Sequence, residues 1–365
     1  MGAIQVLERL VEVSGSGLIA ISDEKRRAVG QFQSCRTAGK GCRIVHCRQC
    51  DTSMVLYNPC NKRGCPKCHR KNQLRWLDKA RARILPTGHE HLVFSIPGCY
   101  TQRWLADPRS VIAGLFASVN AVIKQLESIS GLTLAWMLVF QSHGKGMSYK
   151  PHIHCLLADG GLDANGEWKP LGVLPIQKMT RLLAEEYTES MELFEKPENK
   201  GWSVYAARHE STGKKVIGYL AHTMVGVVMS VEQELEVDHE HHRISFQDSH
   251  GGSIQKTTLD ETVFVERYLM HIPPERAVTV RSFGLYSNRH SDDLEEIRRK
   301  MREHKPMDEE ATQPLDYGEL CPCCHAPMYE ILAAGPGEAV NYQKYGFNQG
   351  PPEHGAYTTR TDEAK

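Results

Sequence analysis

Between residues 90 and 160 the hydrophobic pattern switches period several times. His91-Leu-Val-Phe-Ser-Ile96 reads as a strand, because β-branched and aromatic residues cluster in a short run. Val111, Ile112, Leu115, Phe116, Val119, Val122, Ile123 and Leu126 recur at three- and four-residue steps, which predicts an amphipathic helix over 109–128. Leu132 to Gln141 and His152 to Ala158 again read as strands. The connection Ser142-His-Gly-Lys-Gly-Met-Ser-Tyr149 is short and glycine-rich, so these two strands are expected to pair as an antiparallel hairpin. Strand, helix and hairpin in that order imply an α+β fold with helices packed on one face of the sheet.

Upstream, Ile4, Val6, Leu7, Leu10 and Val11 fall at helical spacing and predict a short helix within residues 1–30. Asn72 to Arg83 reads as a basic helix with Leu74 and Leu77 on one stripe, stopped by Pro86 and expected to pack on the cysteine-rich segment before it. Downstream, helices are expected near 175–194, 214–224, 260–271 and 292–305, and strands at Val227–Val231 and Arg243–Phe246. The Gly-, Pro- and Asn-rich stretch from about Ala334 lacks the apolar content of a core and is expected to be disordered. Three regions result: 1–85 with the first helix, cysteine module and basic helix, 86–290 with the main sheet, and 291–365 at the end.

Charge changes this picture locally. Lys plus Arg and Asp plus Glu are both 44 in the 365 residues, so the chain is neutral overall. Between Cys35 and Arg83, however, thirteen basic residues face only Asp51 and Asp78, a balance suited to a polyanion. No run of about eighteen apolar residues and no signal-like start appears, so a soluble, cytoplasmic protein without a membrane partner is expected. Seven of the twelve cysteines lie within 34 residues, and in a reducing compartment such density favours metal over disulfides. Cys99 and Cys155 sit in apolar segments and read as core.

Cys47-x-x-Cys50 and Cys65-x-x-Cys68 each present two thiolates from one turn, and together they supply four to a tetrahedral zinc ion. Cys35, Cys42 and Cys60 remain, with His46 and His69 nearby, enough for a second ion. Spacing leaves open which ligand serves which ion. On the histidine strand, His152 and His154 point the same way because alternate residues share a face, and a hairpin partner adds Gln141 or His143. Such a set leaves coordination positions for a divalent ion that meets phosphate or water. In Gly213 to Met224, Lys215, Tyr219 and His222 share one helical face, which makes Tyr219 a candidate nucleophile and Lys215 a charge-neutralising neighbour. Tyr268, near Arg267 and His271, is the rival. Cys321 and Cys324 form a further pair without a visible partner pair.

Several segments recur together: Cys35-Arg-Thr-Ala, Cys47-x-x-Cys50, Tyr57-Asn-Pro-Cys-Asn-Lys-Arg-Gly-Cys-Pro-Lys-Cys68, Phe94-Ser-Ile-Pro97 and Pro151-His-Ile-His-Cys155 with Gly160-Gly-Leu162. Val216-Ile-Gly-Tyr-Leu-Ala221 and Phe264-Val-Glu-Arg-Tyr-Leu-Met-His-Ile-Pro273 follow, then Arg281-Ser-Phe-Gly284. In order and spacing the chain resembles the rolling-circle transposases of the insertion-sequence-ninety-one type, members of the HUH (His-hydrophobe-His) endonuclease superfamily. The resemblance implies an antiparallel HUH-nuclease sheet with flanking helices, preceded by a small zinc-binding domain holding one or two ions. It implies that Tyr219 attacks DNA to give a 5′-phosphotyrosine and a free 3′-hydroxyl, while Mg²⁺ or Mn²⁺ at His152 and His154 polarises the phosphate. Single-stranded or locally melted DNA at element ends would be the substrate.

The chain departs from the family at four places. Thr223 stands where some members have a second tyrosine. Gln141 stands where a histidine is frequent, with His143 as its substitute for third ligand. Gly64 also replaces a frequent histidine, for which Cys42 could supply a thiolate. Tyr268 occupies a position where the family usually has Phe, so it is expected to pack. Thr223 and Gln141 motivate an alternative, a non-catalytic zinc-dependent DNA-binding protein on the same fold.

Overall fold

A computed structural model describes residues 2–192, 201–212, 234–250, 253–304, 320–347 and 356–358. In chain order, helices α1 (Gly2–Gly15) and α2 (Asp23–Gln33) precede strands β1 (Cys42–Cys47) and β2 (Thr52–Tyr57). Helix α3 (His69–Arg83), strand β3 (Gly88–Ser95) and helices α4 (Thr101–Ala106) and α5 (Pro108–Ser130) follow. Next come β4 (Thr133–His143), β5 (Tyr149–Leu162), β6 (Trp168–Pro170), α6 (Ile176–Ser190) and β7 (Ser203–Thr212). Strands β8 (Leu235–Asp238), β9 (Arg243–His250) and β10 (Ser253–Asp260) lead to α7 (Glu261–Met270), β11 (Val280–Gly284) and α8 (Ser291–His304). Strands β12 (Tyr329–Ala334) and β13 (Ala356–Thr358) close the described chain.

The central sheet has the order β11-β4-β5-β3-β7, with β6 added at the end of β5, and its pairings are antiparallel. β4 and β5 form the expected hairpin. One face is covered by α5 and α6, where Val111, Leu115, Val119 and Ile123 meet Leu92, Phe94, Leu138 and Ile153. Each such buried aliphatic side chain stabilises the fold by roughly 1.5–3 kcal/mol. Helix α5 begins where the Asp107 carboxylate accepts the amides of Arg109 and Ser110, and ends where Gly131 adopts φ 68°.

Helices cover the second face as well, contrary to the one-sided packing expected from the pattern. Leu77 and Ala80 of α3, Ile84 just after it and Leu294 of α8 pack against Met137, Val139, Leu156 and Ala158. Helix α3 therefore lies on the central sheet rather than being devoted to the cysteine module. The apolar runs Leu134–Phe140 and Ile153–Ala158 reflect this double burial, since a strand with one wet face would alternate. The motif Arg281–Gly284 is structural: the Arg281 guanidinium sits 4.8 Å from the Phe116 ring centre, and Phe283 stacks on Trp136. Gly284 has φ 55°, and a Cβ there would collide with the Leu134 carbonyl oxygen.

A second, four-stranded sheet, β12-β1-β2-β13, joins the two ends of the chain. The tail expected to be disordered thus contributes a strand, and Phe347 is buried with Ile44 and Val55. A three-stranded meander, β10-β9-β8, packs with α7 against α1 and α2. Cys155 is buried as expected, whereas Cys99 is exposed. Among the described residues no helix is long and apolar enough to cross a membrane.

Candidate functional site: a histidine cluster and two thiol clusters

The β4–β5 register sets Gln141 opposite His152 and Val139 opposite His154, so the three polar side chains share the sheet face under α3 and α8. His152 Nε2 lies 3.0 Å from His154 Nε2, which lies 2.8 Å from Gln141 Oε1. Both histidines are buried, at 8% and 6% exposure. The His152 Nδ1–H donates to the Lys150 carbonyl at 2.7 Å, which leaves a lone pair on Nε2. The Gln141 amide nitrogen donates to His143 Nε2 at 3.0 Å, which turns its oxygen toward His154. A register shift between Gln141 and His143 brings both onto this patch.

A fourth imidazole completes the arrangement. His91 of β3 places its Nε2 2.8 Å from His154 Nδ1, with the rings stacked 5.1 Å apart. Burial, followed by the neighbouring His152, His91 and His143, holds His154 well below its ordinary value. His143 is pushed down to about 3 by burial, then by His271 and His152. His154 and His143 are therefore neutral at pH 7, and the ring nitrogens converge with the Gln141 amide oxygen between two adjacent strands, an environment that favours a bound cation.

The cysteines assort differently from their sequence spacing. Cys35, Cys60, Cys65 and Cys68 form one group, and Cys47, Cys50, Cys321 and Cys324 the other, the sulfurs of each lying within 4.8 Å of one another. The two Cys-x-x-Cys turns expected to share one ion are thus separated, because β1 and β2 carry the Cys47 turn toward the C-terminal segment. The Cys47 and Cys324 sulfurs are 3.6 Å apart although 277 residues separate them. Cys42 belongs to neither group; its sulfur sits 3.6 Å from the Tyr342 hydroxyl. His46 faces Ser53 and Asp51 instead. Hydrogen bonds from Cys60, Cys65 and Cys68 hold the Cys35 thiol far below its ordinary value, while the same contacts push Cys60 and Cys65 up, so without a cation the four sulfurs share protons.

Residues 12–96 match the family described as the transposase zinc-binding domain of the IS91 type, and residues 136–192 and 174–293 match the family described as "Putative transposase". The chain belongs to the IS91-type transposases. It is 24% identical to the "Putative transposase y4qJ" of Sinorhizobium fredii, over 91% of this chain and 92% of that one. It is 23% identical to the transposase for insertion sequence element IS801 of Pseudomonas savastanoi pv. phaseolicola, over 74% of this chain and 72% of the relative. No solved structure matches.

In this IS91-type transposase chain, the structure brings His152, His154, Gln141 and His143 together. Tyr219, Lys215, His222 and Thr223 lie outside the described residues. Tyr268 is fully buried on α7, and its hydroxyl donates to the Gly64 carbonyl at 2.9 Å; burial raises its phenol far above the ordinary value. It packs, as expected. Two partners escaped the pattern: His91, and the Cys321–Cys324 pair as the complement of Cys47 and Cys50. His91 has the parity of Val93 and Ser95, which face His154 and His152. That parity becomes informative only once β3 is known to lie beside β5.

Proposed function

We propose that this transposase is a metal-dependent tyrosine DNA endonuclease and strand transferase of the HUH type, acting on single-stranded or locally melted DNA at element ends. The convergence of His152 Nε2, His154 Nε2 and Gln141 Oε1 on one face of the hairpin carries this reading. Two neutral imidazoles and an amide oxygen fit Mn²⁺, and Mg²⁺ where water and phosphate complete the shell. When bound, the ion would polarise the scissile phosphate and stabilise charge gathering on its oxygens.

Tyr219 supplies the nucleophile. Its phenolic O–H gives up a proton as the oxygen bonds to phosphorus, the bond from phosphorus to the 3′ oxygen breaks, and that oxygen takes up a proton as a free hydroxyl, so the proton count is unchanged. The phosphate stays joined to Tyr219 on its 5′ side, so the ester is kept for rejoining. Lys215, one turn before Tyr219 in the helical pattern, neutralises the transition-state charge. The two four-thiol groups are read as structural zinc sites, for which four sulfurs suit a closed tetrahedral shell.

The test incubates the full chain with Mn²⁺ and a labelled single strand from the DNA flanking its coding region. A covalent protein–DNA adduct on a denaturing gel is expected, and it should vanish in Tyr219→Phe and His154→Ala. An adduct that survives Tyr219→Phe but disappears in Tyr268→Phe would overturn the assignment of the nucleophile. Cleavage without any adduct would overturn the tyrosine chemistry.

A further inference from the structure

A cleft of about 260 Å³ opens where the loop of the first thiol group meets the segment after α7. Lys25 and Arg27 of α2, Lys62 and Arg63 of the thiol loop, and Arg276 beyond Pro273-Pro274 line it, against the carboxylates of Glu24 and Glu275. Both acids are already engaged. Glu24 accepts the Glu275 backbone N–H and lies 3.6 Å from Arg109, while Glu275 pairs with Lys62 at 2.9 Å. Lys25 donates to the Ile272 carbonyl, and burial lowers its ammonium to about 8. Arg27 and Arg276 also act on Glu275, whose carboxyl Lys62 holds down most strongly, so the five cations lining the cleft share two carboxylates. Cations left in excess in a concave site repel one another and are stabilised by an incoming anion.

The cleft also has a place relative to the histidine cluster. Ile272 on its wall follows His271, whose Nε2–H donates to the Met147 carbonyl at 2.9 Å and whose Nδ1 accepts from the Ser142 hydroxyl at 2.9 Å. Both partners belong to the hairpin that carries Gln141 and His152. Its volume lies below the roughly 300–1,000 Å³ of drug-sized ligand pockets, room for one phosphodiester and its sugar rather than a base pair.

We propose that this cleft binds the sugar–phosphate backbone of the DNA strand beside the scissile position, without reading its bases. The proposal rests on the reading of the chain as a DNA nuclease. Guanidinium forks pair with phosphate oxygens in two parallel hydrogen bonds, and three of the five cations are arginines. Because Lys62 and Arg63 sit between Cys60 and Cys65, an ordered thiol loop is part of the binding surface.

Binding of a fluorescein-labelled oligothymidylate to the full chain, zinc retained and no Mn²⁺ added, tests this by anisotropy across a salt series. The variant combines Arg27→Ala, Arg63→Ala and Arg276→Asn; asparagine is chosen because Arg276 has φ 62°. Affinity at low salt should fall at least about tenfold, and the slope of log K against log salt should shrink by about two, since each phosphate contact on a single strand contributes roughly 0.7. Removing three exposed cations from α5 and α6, by Lys124→Ala, Lys178→Ala and Arg181→Ala, should change neither. Should the triple variant lose its zinc or melt early, Arg27→Glu alone, on the exposed side of α2, must still reduce the slope. An unchanged affinity and slope, with Tyr219 adduct formation intact, overturns the cleft and leaves the nuclease reading standing. Lost binding in the cleft variant supports the cleft even if the wild type forms no adduct, an outcome that would count against the nuclease reading alone.

Discussion

His154 can offer Nε2 to a cation only if its proton resides on Nδ1. His91 Nε2, 2.8 Å away, is placed to accept that proton when a cation is bound, the part the Lys150 carbonyl plays for His152. We therefore regard His91 as a positioning residue. His91→Leu should weaken Mn²⁺ binding to the full chain by about 10- to 100-fold, the usual effect of losing such a partner. His91→Asn, whose amide oxygen still accepts, should recover much of that loss, while zinc content stays unchanged in both. Equal Mn²⁺ affinity for the leucine variant and the wild type in titration calorimetry would remove His91 from this role. Strand parity and a tight turn made His152, His154 and Gln141 readable from sequence. His91 was not, because its position follows from β3 pairing with β5 across some sixty intervening residues, which leaves no local trace.

Elements are held to one another here by a few buried polar links. Helix α7 ties the sheet hairpin to the thiol loop: Arg267 donates to the Gly146 carbonyl at 2.8 Å, and Tyr268 to that of Gly64. On the sheet's second face, β3 and the residues leading into it are joined to the turn after β11. The Leu85 amide donates to the Tyr286 hydroxyl, which donates to His89 Nε2 at 2.6 Å, while the His89 Nδ1–H donates to the Thr87 carbonyl. Burial, against a raising contribution from Thr87, lowers His89 to about 4 from the ordinary 6.5. A folded value below the unfolded one means that the stabilisation is complete above pH 6.5, declines as pH falls, and is gone below about 4. The depression corresponds to about 3 kcal/mol. Melting curves between pH 7.5 and 4.5 should show wild type losing more stability than His89→Gln; taking the difference removes the contribution of thiolates that also protonate in acid. Parallel losses would exclude His89 as a source of acid sensitivity. The periodic pattern located α5, α6, α7 and α8 well, because each has an apolar stripe. It misplaced α3, because a stripe reports that a helix is buried and not what buries it.

At the scale of the whole molecule, the two ends of the chain form one unit. β12 pairs with β1, and the second thiol group draws two sulfurs from each end. Spacing within a sequence cannot show such a match, because any two Cys-x-x-Cys turns are equally good candidates until the topology selects the pair. If zinc closes this group, binding is coupled to docking of the C-terminal segment, since neither pair alone offers a closed shell. Cys321→Ser with Cys324→Ser should then remove one zinc ion per chain by elemental analysis and raise hydrogen exchange in β1 and β12. Exchange in β4 and β5 should remain slow, because their protection comes from α5, α6 and α3 on the two faces of the central sheet. Cys35→Ser with Cys60→Ser should instead loosen the neighbourhood of Gly64, Tyr268 and His271, and with it the connection around Gly146 and Met147 between β4 and β5. Identical exchange patterns in the two double variants would contradict this division, for it requires one metal to clamp the termini and the other to brace the histidine site.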